Sequence, residues 1–185
     1  MTSLVILAII VAVIGYGIYL YNDLVSKRQL VQEGWSGIDV QLKRRTDLIP
    51  NLLETVKGYM GHERQTLEAV VNARAAATAG ANAGPEERAR LEGALSGALG
   101  RLLALAEAYP DLKANTTFLE FQEALRTVED EIQLSRRYYN GAVRNLNTAV
   151  ESFPQNIVAN AFRFEKAEYF ELENEAERAV PDVKF

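Results

Sequence analysis

Cysteine is absent from the 185 residues, so disulfides and thiol chemistry are excluded. The compartment stays open, because a cysteine-free chain suits either side of a membrane. Histidine occurs once, as His62 in Gly-His-Glu-Arg-Gln, with no glutamate three residues before it. A di-metal site in a helical bundle takes Glu-x-x-His from each of two helices. One imidazole and no thiolate therefore exclude a nitrogen- or sulfur-rich metal centre. Glu129, Asp130 and Glu131 are consecutive. Adjacent carboxylates on a helix point around it rather than converge, so they read as a solvated face rather than a calcium site.

Also missing are the loops that hold phosphates: neither G-x-x-x-x-G-K-[ST] nor a strand-bound G-x-G-x-x-G occurs, and Gly15-x-Gly17 lies inside an apolar run. There is no G-x-S-x-G elbow, and Ser36, Ser96, Ser135 and Ser152 fall on expected helices without a paired base. Positive charge is short as well. Lysine and arginine number 20 against 25 acids, a net charge of −5, which argues against a nucleic-acid partner. No catalytic residue, metal ligand or cofactor is expected, and the chain is read as non-enzymatic.

What is present begins with Leu4–Tyr21, LVILAIIVAVIGYGIYLY, ahead of the first charged side chain, Asp23. At about 1.5 Å per residue a helix of this length crosses a hydrocarbon core of roughly 30 Å. Lipid offers no partner to backbone polar groups, so the run must enter it as a helix. Leu4, Ile9 and Val13 stand for its lipid-facing body; Tyr16, Tyr19 and Tyr21 gather at its C-terminal end, where amphipathic rings favour headgroups. A cleaved signal peptide would need a basic leader and a small-x-small cut site; Met1-Thr2-Ser3 and the following YNDLVSKRQ supply neither. A buried core helix would not run so long without a polar stripe. Lys27, Arg28, Lys43, Arg44 and Arg45 follow the run and only the terminal amine precedes it. The expected placement is a single-pass membrane protein, body cytoplasmic and short N-terminus outside.

Residues 1–22 are thus the anchor, 23–154 a four-helix bundle and 155–185 a tail packed on it. Leu24, Val31, Trp35, Ile38 and Leu42 draw one helical stripe, with Gly34 and Gly37 flanking Trp35 where a missing Cβ lets another helix approach. Thr46-Asp47-Leu48-Ile49-Pro50 reads as a sharp turn, a kink being the alternative: Asp47 would cap a second helix and Pro50 would fall in its first turn. That helix would run to about Ala79 with Val56, Met60, Leu67 and Val70 inward. Gly80–Pro85 is a loop, and Pro85-Glu86-Glu87 opens a third helix ending near Tyr109-Pro110. Thr117-x-x-Glu120 is a capping-box pattern for a fourth helix of about thirty-six residues, striped by Leu125, Val128, Ile132, Tyr139, Val143 and Leu146 and closed by Phe153-Pro154. Asp39 with Lys43, and Glu54 with Lys57, are spaced as helical ion pairs. Ser135, with Arg136, Arg137 and Asn140 near it, reads as a polar layer fixing helix register. Beyond Pro154 come a short helical turn and an irregular stretch holding Phe162, Phe164 and Phe170, then the acids Glu171, Glu173, Glu175 and Glu177. Four amphipathic helices on short loops bury their stripes best as an all-α, antiparallel up-and-down bundle.

These segments resemble the LemA family. YNDLV after the anchor, Trp35–Glu63 (WSGIDVQLKRRTDLIPNLLETVKGYMGHE), Tyr109–Gln122 (YPDLKANTTFLEFQ), the E-x-x-I-x-x-x-R-x-x-YN run of Glu129–Asn140 and the Phe153-Pro154 ending carry the likeness. Asp39, Lys43, Arg44, Asn51, Glu54, Lys57, Lys113 and Asn115 are the polar residues within it. The resemblance implies a bacterial protein with one N-terminal membrane helix and a helical bundle, and no established activity or cofactor. One relative belongs to the set that builds magnetosome membranes, which implies a role in membrane organisation. The expected partners are the lipid bilayer, further copies of the chain and another membrane protein, with Gly34, Trp35, Phe162, Phe164 and Phe170 as candidate contacts. The alternative is a sensor or adaptor whose helices shift on binding a ligand or partner.

Overall fold

A computed structural model describes residues 1–171, and the acids Glu173, Glu175 and Glu177 lie outside the described residues. The chain is all-α, with no strand among the described residues. Its helices are α1 Thr2–Lys57, α2 Arg64–Ala79, α3 Pro85–Ala106, α4 Pro110–Lys113, α5 Thr116–Glu151 and α6 Gln155–Ala161.

The turn expected at Thr46–Pro50 is not formed: α1 runs through Pro50 for 56 residues, and the reversal comes at Gly58–Glu63. Proline lacks the amide that would bond the carbonyl four residues back. That carbonyl belongs to Thr46, and the Arg74 guanidinium of α2 donates Nε–H to it at 3.1 Å. A side chain from a neighbouring helix thus satisfies the acceptor that Pro50 orphans. The capping residue of α5 also differs from expectation. Asn115 Oδ1 accepts the Phe118 amide at 3.0 Å, so Asn115 is the cap and Thr117 lies inside the helix. Pro85 does open α3, with Glu86 and Glu87 in its first turn.

The described residues form two compact units. One comprises Ile38–Leu134 with Phe170 and Glu171. Its core joins Ile49, Leu52 and Val56 of α1, Leu67 and Val70 of α2, Leu95, Ala98 and Leu102 of α3, and Phe118 and Leu125 of α5. Leu112 of α4 and Met60 of the α1–α2 turn plug this core. Tyr109 donates its hydroxyl to Glu63 at 2.9 Å, and Asn115 donates to the Tyr59 hydroxyl at 3.1 Å, binding the α1–α2 turn to the α3–α5 connection.

The other unit comprises Met1–Gly37 and Ser135–Tyr169. Here α5 runs antiparallel to α1: the Trp35 ring lies 5.5 Å from Tyr139, while Asp23 accepts from Gln155 at 2.6 Å. A Cβ on Gly34 would sit 3.0 Å from the Tyr139 Cα, whereas one on Gly37 would meet nothing within 4 Å. Gly37→Ala should therefore raise stability by about 1 kcal/mol, the helix propensity gained. Gly34→Ala should gain nothing net, because the same propensity is offset by separating two backbones. Thermal unfolding of the two single variants in detergent checks the contrast.

Residues 162–169 strap this unit. Asn147 clasps the Ala167 backbone through both its oxygen, 2.8 Å from the amide, and its Nδ2, 2.9 Å from the carbonyl. The Tyr139 hydroxyl donates to the Glu168 carbonyl at 2.8 Å. Burial first, and the nearby Glu168 carboxylate second, push the Tyr139 phenol up to about 12. The folded state then holds this proton where the unfolded state, with a phenol pKa near 10, releases it. Stability from Tyr139 is complete below about pH 10 and is lost as pH rises from about 10 to about 12. Tyr139→Phe should flatten that part of the profile of melting temperature against pH.

Candidate functional site

Among the described residues three charged side chains are buried, and all belong to the unit of Ile38–Leu134. On α1, Ile38, Leu42 and Ile49 are fully buried or nearly so, and Arg45 occupies the stripe position between them with 2% exposure. On α3, Arg88 and Glu92 continue the seam of Leu95, Leu99 and Leu102, at 4% and 0% exposure. Helical spacing therefore drives cations and a carboxylate inward with the leucines.

Their charges meet. Arg45 Nη2 donates to Glu92 Oε2 at 2.7 Å and to the Glu92 carbonyl at 3.2 Å. Its Nη1 donates to Ser96 Oγ at 2.6 Å and to Glu129 Oε2 at 2.9 Å. Arg88 Nε lies 3.0 Å from Glu92 Oε1, a charge contact off the hydrogen-bond line, and its Nη2 donates to Asp39 at 3.2 Å. Glu92 thus sits between two guanidinium groups, while Asp39 and Glu129 reach in from the half-exposed edge. A carboxylate this deep is tolerable only when paired. Arg45 Nε and Arg88 Nη1 are buried without a hydrogen-bond partner among the described residues.

Beside this network a groove of about 410 Å³ opens between α1, α3 and α5. Arg45, Ser96, Arg126, Glu129 and Asp130 supply its polar wall, and Leu99, Leu103 and Leu125 its apolar one. It offers a small polar or amphipathic molecule both hydrogen bonds and a greasy floor. As chemistry it is quiet: Ser96 Oγ accepts a hydrogen bond from a cation, which makes it a poorer nucleophile. Among the described residues no group of three or more His, Cys, Asp or Glu is placed to hold a metal ion.

The residues singled out in the sequence are scattered. Leu4, Ile9, Val13, Tyr16 and Tyr19 are exposed along α1, and Tyr21 is half-buried. Gly34 packs on Tyr139, the Trp35 ring lies tilted against the same residue, Phe164 and Phe170 are buried, and Phe162 is exposed. Asp39 does not pair with Lys43 but with Arg88; Lys43 bonds Asp47 instead at 2.7 Å. Arg44, Asn51, Glu54 and Lys57 are exposed, and Lys113 bonds Glu107. His62 is exposed in the α1–α2 turn, and Ser135 is half-buried on α5. Sequence reasoning misses Arg45, Arg88 and Glu92 as a buried cluster. The available signal is a charge standing at a stripe position, three residues after Leu42 and four before Ile49.

The fold defines a class: an all-α protein with one helix, near its N-terminus, long and apolar enough to cross a membrane among the described residues. Within that class the chain belongs to the LemA family, whose model matches residues 34–185. It is similar to Magnetosome protein MamQ 2 of Paramagnetospirillum magneticum, 25% identical over 186 residues, covering 88% of this chain and 68% of the relative. Protein LemA of Metamycoplasma hominis is 26% identical over 162 residues, covering 88% and 73%. Magnetosome protein MamQ of Magnetospirillum gryphiswaldense is 24% identical over 174 residues, covering 81% and 64%.

Proposed function

We propose that this chain is a non-enzymatic, membrane-anchored interaction protein that self-associates and organises or remodels the bilayer holding it. One observation carries the anchor: only 6% of the 18-residue apolar window of α1 is covered by the rest of the chain. Leu4, Val5, Ile6 and Leu7 are consecutive and so face every side of the helix, and each is more than half exposed. A core helix would be sheathed by neighbours, so lipid is the cover that fits. The magnetosome proteins among the relatives support a role in membrane organisation by kinship. Lys27 and Arg28 just past the span, with Lys43 and Arg44 further on, favour a cytoplasmic helical body, and membership of the LemA family supports a bacterial inner membrane.

Mass measurement of full-length protein in several mild detergents tests self-association, with an oligomer expected; a strict monomer in all of them ends this reading. Protease protection of a C-terminal tag in sealed vesicles tests the orientation, with digestion expected only where the cytoplasmic face is open.

The groove beside Arg45 favours a second reading, a sensor whose helices repack around a small ligand. A metabolite screen by thermal shift tests it: a hit should raise the melting temperature of the native chain but not of Leu103→Trp, which fills the groove.

A further inference from the structure

We propose that residues 153–164 are a second membrane contact, dipping into the leaflet at the C-terminal end of the α1 span and seating lipid acyl chains in a groove against α1. The inference rests on the anchor reading above. All its residues belong to the unit of Met1–Gly37 and Ser135–Tyr169.

The depth of the segment can be read from its partners on α1. Gln155, at the start of α6, donates to Asp23, the first charged residue past the span and so level with its polar boundary. From there the chain descends. Val158 and Phe162 line a groove of about 340 Å³ whose other wall is Ile14, Gly17, Ile18 and Tyr21. Ile14 lies about 10 Å inside Tyr21 along the helix axis, at acyl rather than headgroup depth. Phe162 packs edge-on against Tyr21 with ring centroids 4.9 Å apart. Then the chain climbs again: Phe164 also meets Tyr21, at 5.7 Å, with the Arg28 guanidinium 5.0 Å above its ring.

The reversal is built into the backbone. Phe164 N–H bonds the Ala159 carbonyl at 2.9 Å and Arg163 N–H that of Asn160 at 3.4 Å, the paired bonds of a Schellman ending. Arg163 takes the left-handed position, φ 57°, where glycine is usual, and so both flanking phenylalanines reach Tyr21. The outer face of the dip is apolar and bare: Phe153, Ile157 and Phe162 are 80%, 61% and 62% exposed. From Phe153 to Phe164 there is no acid, and Arg163 is the one charge. Aromatic and aliphatic side chains on the bare face, Arg28 at the rim, Arg163 at the reversal with a stem long enough to carry its charge up to the headgroups, and no carboxylate within the segment make a surface for the leaflet interface, continuous with the span.

The absence of native cysteine makes the test clean. Single nitroxide labels at Ile157→Cys, Phe162→Cys, Ile10→Cys and Glu151→Cys in the full-length chain are reconstituted into phosphatidylcholine–phosphatidylglycerol vesicles. Power saturation then compares exposure to oxygen and to a water-soluble nickel chelate. All four positions are exposed, and Ile157, unlike Phe162, makes no ring contact with Tyr21, so its label reads the dip with that contact in place. Labels at 157 and 162 should favour oxygen several-fold, like that at 10, while the label at 151 favours nickel. Nickel access at 157 and 162 equal to that at 151 overturns the proposal, and so does shielding from both reagents, the sign of a second copy covering the face. Oxygen preference at 10 with wet labels at 157 and 162 removes the dip alone. A wet label at 10 removes the anchor reading and the dip with it.

Discussion

Glu92→Leu should destabilise the detergent-solubilised chain by about 3–5 kcal/mol, the range for removing one partner of a buried ion pair. Arg45 and Arg88, 2% and 4% exposed, would both keep their charge and lose the carboxylate between them. Asp39 and Glu129 cannot take over, because each already holds one guanidinium from the solvent edge. For a chain of this size the loss corresponds to a melting point lower by roughly 6–20 °C. The informative partner is the triple variant Arg45→Met, Arg88→Leu, Glu92→Leu. With no charge left in the core, it should recover most of the loss or exceed the native value, since desolvating ions costs about as much as pairing returns. A single Glu92→Leu variant that melts within a degree of the native chain would mean that the three groups are not energetically coupled. If the triple variant is stable but fails wherever the native chain functions, the network serves specificity or binding rather than stability.

That network also marks where the sequence stops being legible. The stripes of Leu24, Ile38 and Leu42 on α1 and of Leu125, Ile132 and Val143 on α5 can be read from spacing alone, because those side chains are buried where a 3.6-residue period places them. So can the apolar span and the proline opening of α3. Arg45 obeys the same period, but a charged residue is ordinarily exposed, and spacing cannot say that Glu92 stands across the core. The Asp39–Lys43 pair illustrates the converse. Two exposed groups one turn apart have a local partner available, yet Asp39 turns to Arg88 on α3 and Lys43 to Asp47. Local spacing sets which contacts are within reach on one helix, whereas the neighbouring helix decides which are made. The α5 cap differs for a related reason: Asn115 and Thr117 both suit the role, and only Asn115 also reaches the Tyr59 hydroxyl.

Pro50 is the plainest case, and it yields the second large effect. Mid-helix proline costs about 3 kcal/mol against alanine, which is why Thr46–Pro50 reads as a turn. The helix continues because apolar residues on both sides, Ile49, Leu52 and Leu53, are held in the core, and because Arg74 meets the orphaned Thr46 carbonyl. Pro50→Ala should therefore stabilise the chain by about 1–2 kcal/mol. The restored amide and the helix propensity are partly offset by the greater freedom of the unfolded chain. Arg74→Met in the native background should cost about 1–3 kcal/mol, since it leaves a half-buried carbonyl without a donor. In the Pro50→Ala background the same change should cost little, because the backbone amide regained at position 50 then serves Thr46. The double-mutant cycle, read by thermal unfolding, should give a coupling of about 1–2 kcal/mol between two residues on different helices. Additive effects would instead mean that Arg74 contributes by packing on α1 and that the Thr46 carbonyl is satisfied by solvent. A non-zero coupling identifies Arg74 as the residue that lets α1 pass through its proline.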